Sequence, residues 1–172
     1  FGTILDAWQL PVADVGPTGD DQGKGGKYLL LPSDYQGDVP AGYLVYRLNT
    51  TSVTLAFRPV AKEGVSDEDV AAYSQNLRSY KLADAANPPK NHYVDAFPKK
   101  WNTLPTYDFT YFTDLNDVIQ KEPVQERDKA MMGLLASLGI EKGKPFNPDA
   151  ETKQALLDGL QRAWAKMQAY LV

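Results

Sequence analysis

Residues 14–47, DVGPTGDDQGKGGKYLLLPSDYQGDVPAGYLVYR, carry the reading of the fold. The stretch opens as a glycine-rich, lysine-bearing loop and runs into a short apolar strand. A Pro/Gly turn region and a second strand follow. From Gly16 to Gly26 there are five glycines, with Asp20, Asp21 and Lys24 among them, and Lys27 comes next. Glycine permits positive φ and close backbone approach, so such a loop can aim several N–H groups at one anion. The phosphate-loop pattern GxxxxGK[ST] fails here. Thr18 and Asp21 stand where its first glycine belongs, and neither lysine is followed by Ser or Thr. The next segment reads as strand, where a phosphate loop needs a helix. Three readings of the loop stay open. It is a long connection with solvated charges, an anion site, or a calcium site built from Asp14, Asp20 and Asp21 without EF-hand spacing.

Outward from this stretch, Thr3 to Gln9 (TILDAWQ) reads as a strand anchored by Trp8. On the other side, Tyr43 to Leu48 and Val53 to Arg58 alternate with period two. A short polar link, Asn49 to Ser52, joins them, which predicts an antiparallel hairpin. Asn49-Thr50-Thr51 matches the glycosylation sequon, and at a tight turn it reads as coincidence. Ser66-Asp67-Glu68-Asp69 reads as a helix start with Ser66 as cap, and Val70, Tyr73 and Leu77 extend it to about Ser79. After Pro88-Pro89, His92 to Phe97 is expected as a further strand turning through Pro98-Lys99-Lys100 to Trp101.

From Pro105 the pattern is helical. Tyr111, Phe112, Leu115 and Ile119 stripe a helix over 107–120, and a second helix spans 128–138 before Gly139. Asn147-Pro148 signals a third start, with proline in the first helical position. That helix carries Leu156, Leu157, Leu160, Trp164, Met167 and Leu171 at helical spacing, the mark of a core stripe or a docking face. Strands, then a helix, a strand pair and three helices predict an α+β fold. The expected division is an antiparallel β-sandwich with one helix over 1–104 and a three-helix domain over 105–172. Five or so strands are few for a sandwich, so it reads as incomplete, with strands expected upstream.

The 172 residues include 43 % hydrophobic and 23 % charged side chains, the balance of a soluble globular protein. A net charge of −4 without a basic stripe gives no footprint for nucleic acid. No apolar run approaches the ~20 residues of a membrane span. Phe1 opens directly into a strand-like run with no leader, so the chain reads as mature or truncated. Cysteine is absent, which removes disulfides, thiolate metal sites and cysteine nucleophiles. One histidine and no cysteine nearly exclude zinc, and no metal site or cofactor is expected. No GxSxG elbow is present. Asp114 and Asp117 share a helix face and read as solvated, and Lys99-Lys100 as an ordinary turn.

The run from Asp14 through Thr50 resembles the signature of the bacterial family filed as domain of unknown function 1254. The likeness continues through LRSYKL (77–82), FTDLNDVIQKEP (112–123) and LLASLGIEKGKPFNPD (134–149), in the same order. The resemblance implies an immunoglobulin-like β-sandwich followed by a small helical domain. It also implies further strands upstream and a second β-domain, filed as domain of unknown function 1214, downstream, so that this chain reads as an internal fragment. It points to the periplasm or cell envelope. It brings no agreed reaction and no catalytic residues.

Two functions of different class follow. The first is a non-catalytic module that binds a small ligand or packs against a C-terminal β-domain of the same polypeptide or a neighbouring subunit, homo-oligomers included. The second is a hydrolase acting on a phosphorylated or other anionic small molecule, with Lys24, Lys27 and Arg47 neutralising its charge. Asp14 is then the candidate carboxylate partner of Arg47, and His92 the candidate base. Convergence of the three cations near a carboxylate or His92 would favour the enzyme, and scattered solvent-facing cations would oppose it.

Overall fold

The computed structural model describes residues 1–61, 63–100 and 104–170. The chain divides into two compact units, Phe1–Lys99 and Lys100–Val172. The architecture is mixed α+β: among the described residues, five strands form two small sheets and four α-helices follow or intervene.

In the first unit the strand met first in the sequence, β1 (Gly2–Asp6), is the middle of a three-stranded antiparallel sheet. It is flanked by β2 (Pro11–Val15) and by β5 (Val53–Phe57). The strand expected to run to Gln9 stops at Asp6 because that side chain closes a tight loop. Asp6 Oδ1 accepts the amides of Trp8 at 2.8 Å and Leu10 at 2.9 Å, while its own N–H donates to the Leu10 carbonyl at 2.9 Å. An aspartate that bonds the backbone two residues on is a standard turn former. Ile4 and Ala13 face each other in the register and are both buried.

The second sheet pairs β3 (Tyr28–Pro32) with β4 (Leu44–Leu48), and the pairing is parallel. The hairpin expected between Tyr43–Leu48 and Val53–Arg58 is therefore not formed: β4 joins β3, and β5 joins β1. The cause lies in the link. Thr50 is buried, and its Oγ1 accepts the Ala7 amide at 3.2 Å and donates to the Ser52 carbonyl at 3.0 Å. This anchors residues 49–52 on the β1–β2 loop and hands the chain from one sheet to the other. Period-two alternation reveals which face a strand presents, not which strand it joins. The β3–β4 crossover contains no helix, although parallel pairs usually use one. Arg47 braces it instead, donating from Nη1 to the Tyr35 carbonyl at 2.8 Å and the Ser33 carbonyl at 3.4 Å.

Helix α1 (Asp67–Ser74) starts as expected, with Ser66 Oγ accepting the Asp69 amide at 3.1 Å and carboxylates in its first turn. It ends five residues before Ser79. Residues 92–97, expected as a strand, are irregular. The Asn91 side chain beside them donates to the Leu77 carbonyl, which ties this segment to the chain following α1. Trp101 lies outside the described residues.

The second unit holds α2 (Thr110–Lys121), α3 (Lys129–Ser137) and α4 (Ala150–Tyr170). Phe112 and Ile119 of α2, Ile140, and Leu156 and Leu160 of α4 form its core. Asp149, not Asn147, caps α4: its Oδ1 accepts the Thr152 amide at 2.8 Å, which places Pro148 ahead of the helix. Gly139 ends α3 at φ +86°, donating to the Ala136 carbonyl while the Ile140 amide reaches back to Leu135, both at 3.0 Å. That left-handed position suits glycine, and the paired bonds leave the buried Ile140 directed inward. Around α4, Trp164 is half-buried against Tyr107 with ring centroids 4.0 Å apart, and Met167 is 49 % exposed. Leu171 lies outside the described residues.

Candidate functional site

The glycine-rich loop between β2 and β3 folds back on itself. Its amides at Gly19, Gln22 and Lys24 donate to the carbonyls of Gly16, Gly19 and Asp21 at 2.8–2.9 Å. Asp21, 8 % exposed, sits inside this coil and accepts the Gly16 amide at 2.7 Å and the Gly23 amide at 3.4 Å. Burial opposes its ionisation, yet the amides of Gly16 and Gly23, the Tyr28 hydroxyl and the Gly25 amide outweigh that and hold its pKa below the ordinary 3.8. The nest of N–H groups thus faces a carboxylate of its own chain. At Gly19 any Cβ would lie 2.1 Å from the Asp14 carbonyl oxygen, so only glycine lets the loop close onto β2.

Against the loop lies one face of the β3–β4 sheet. Tyr28 and Tyr46 share that face with near-parallel rings, 5.9 Å between centroids. The Tyr46 hydroxyl donates to Asp20 Oδ2. Burial and this carboxylate push the Tyr46 hydroxyl up to about 12, and burial with Asp21 raises Tyr28 as well. The two half-buried phenols thus stack side by side as donors to the loop, Tyr46 to the Asp20 carboxylate and Tyr28 to the Asp14 carbonyl at 3.3 Å.

The residues singled out from the sequence occupy separate places. Lys24 is exposed and reaches Gln22 Oε1 at 3.4 Å. Lys27 is exposed and lies over the Tyr43 ring, 5.6 Å from its centroid. Arg47 holds the crossover carbonyls described above. Asp14 accepts the Thr3 hydroxyl at 2.9 Å on the β1–β2 ladder. His92 is exposed within the irregular 92–97 segment. The three cations thus take three different partners, and Arg47 and Asp14 bond elsewhere rather than to each other. Tyr28 and Tyr46 were not singled out. Their shared face was available in the alternation of both strands, but only the parallel register places the two rings side by side.

Among the described residues, no group of three or more His, Cys, Asp or Glu side chains is placed to hold a metal ion, and no helix is long and apolar enough to cross a membrane. In the second unit, Asp114 and Asp117 are exposed on α2.

A solved structure of similar fold is the VPA0106 protein from Vibrio parahaemolyticus, 21 % identical, with a TM-score of 0.60. The likeness covers 99 % of this chain and 41 % of that one, so the chain spans about two fifths of the length of the protein it matches. No curated protein matches the chain. A family model described as "Protein of unknown function (DUF1254)" matches residues 1–82.

Proposed function

With residues 1–82 of the chain matching the DUF1254 family model, we propose that the protein is a non-catalytic module of a bacterial envelope protein, whose second unit packs against a further β-domain of the same polypeptide. The carrying observation is on α3. Met131 and Leu134 of α3 and Leu138 at its C-cap, at i, i+3 and i+7, are 56 %, 64 % and 41 % exposed, and α3 has no fully buried residue. An amphipathic helix normally turns such a stripe inward. Here the opposite side of α3 is already half-covered at Met132, Leu135 and Ala136, so the exposed stripe is a second apolar face. In the first unit, the two sheets are read as layers of an incomplete immunoglobulin-like sandwich, with Thr50 passing the chain between them.

The alternative, a hydrolase of an anionic small molecule, needs Lys24, Lys27 and Arg47 on one substrate. Their separate partners, and an amide nest directed at Asp21, support the packing module instead. The test compares amide hydrogen exchange over residues 129–138 in the 172-residue chain and in the protein purified at its natural mass from source cells. The packing module requires at least tenfold stronger protection in the natural protein. Equal protection in the two overturns it.

A further inference from the structure

The hydrogen-bond parity of β5 determines what its outer edge can accept. The Arg58 amide donates to the Phe1 carbonyl at 2.8 Å, and the Phe1 amino group donates to the Arg58 carbonyl at 3.0 Å. This mutual pair sets the phase of the antiparallel ladder, in which such pairs alternate with pairs that exchange no bonds. Arg58, Ala56 and Thr54 therefore turn their backbone groups toward β1, and Val53, Leu55 and Phe57 turn theirs away from it. Among the described residues no strand lies on that side of β5, and no other backbone bond involves those three residues.

The strand itself, VTLAF, has no charge, proline or glycine, the devices that usually blunt an edge. Leu55 is 41 % and Phe57 39 % exposed. We propose that this edge is a homodimer interface, on which β5 of a second copy of this chain pairs antiparallel about a two-fold axis through Leu55.

The register follows from symmetry. Leu55 meets Leu55 of the other copy, and Val53 meets Phe57 on either side. All the outward-facing residues then fall opposite outward-facing residues, giving about six backbone hydrogen bonds. No other self-pairing of the strand lets all three residues bond. The side chains suit it too, since Leu55 opposes Leu55, Val53 opposes Phe57, and Arg58 falls opposite Ser52 rather than another cation. The result is a sheet continuous across both copies, with an isologous interface. This inference concerns the first unit and stands apart from the reading of α3.

The absence of cysteine from the chain makes the test direct. In the paired register the two Leu55 Cα atoms are about 5.5 Å apart, within disulfide reach. The two Thr54 Cα atoms lie on a diagonal about 7–8 Å apart, beyond it. Under mild oxidation, Leu55→Cys is expected to cross-link at least tenfold faster than Thr54→Cys, and the unmodified chain to sediment as a concentration-dependent dimer. Should the cysteine variants fail to fold, hydrogen exchange on the unmodified chain gives the same answer. Protection of the Val53, Leu55 and Phe57 amides should rise with protein concentration while that of Thr54 and Ala56 stays constant. A monomer at every concentration, equal cross-linking at 54 and 55, or full protection of all five amides in dilute solution would each overturn the proposal. The last result would mean that the edge is covered by the chain itself.

Discussion

The Asp21 carboxylate is covered by the loop it organises, and its charge is matched by amides rather than by Lys24 or Lys27. Because its folded pKa lies below 3.8, ionised Asp21 contributes stability at neutral pH. That contribution is intact above the unfolded value and fades as pH falls from about 4 through the lower folded value. Asp21→Ala is expected to cost about 1–3 kcal/mol at pH 7, since the amides lose a buried acceptor. The difference from wild type should shrink toward pH 3, as followed by urea midpoints at several pH values. A constant difference across that range would mean the carboxylate charge is idle. At this scale the sequence was half legible. The richness in glycine announced a coil of amides, but the fold-back from Gly16 to Asp21 has no spacing signature. Nothing in the letters says that the anion is already inside. Gly19 held the missing clue, because its reason is an approach to Asp14 that only the folded chain displays.

Among the elements, α2 is the best secured. Lys142 Nζ donates to the carbonyls of Ile119, Gln120 and Glu122 at 3.2, 2.7 and 2.8 Å, placing a cation on the helix's negative end. Gln120 completes the clasp, giving its amide to the Glu141 carbonyl at 2.9 Å and accepting the Gly143 amide at 2.7 Å. Lys142→Met keeps the length of the side chain and removes the donors. Thermal melting followed by circular dichroism should show a fall of about 4–8 °C in Tm, the shift of a ~1 kcal/mol loss in a domain of this size. An unchanged Tm would make the clasp incidental. Helices were legible because their signals are local: Ser66, Gly139 and the α2 stripe all act within a few residues of where they stand. Strand partners were not, because pairing is decided by distant groups such as Thr50 against Ala7 and Arg47 against Tyr35. β2 escaped notice for a related reason. It is five residues long, opens on Pro11 and holds Asp14, so its alternation is too brief to stand out.

The whole molecule exposes 13209 Å² of surface. Two separately compact units of these lengths would expose about 10,000 Å². The excess is partly apolar, with Phe97, Leu104, Leu134 and Tyr170 each more than 60 % exposed. The chain is therefore expected to bind a hydrophobic dye at neutral pH while folded, which most monomeric domains do only weakly. Replacing Met131, Leu134 and Leu138 together by Ser should at least halve the dye fluorescence without loss of far-UV helix signal. Undiminished fluorescence would move the sticky surface away from α3. That the chain mixes strands with helices was readable from periodicity. How much of either unit stays bare was not, since a stripe looks the same whether it faces a core or solvent.

The place of β1 has a consequence in time. Of the five strands described it is made before the other four, yet it is the centre of its sheet, and its second neighbour is the last of the five to be made. β2 can fold onto it as soon as both have left the ribosome. β5 follows only after the glycine-rich loop, β3, the crossover and β4 have been synthesised. At about 5–20 residues per second, the interval is about 2–8 s. Throughout it the growing chain carries a two-stranded ribbon with one flank of β1 waiting, so any slowing of translation between residues 16 and 57 lengthens the period in which a stray strand can take the place of β5.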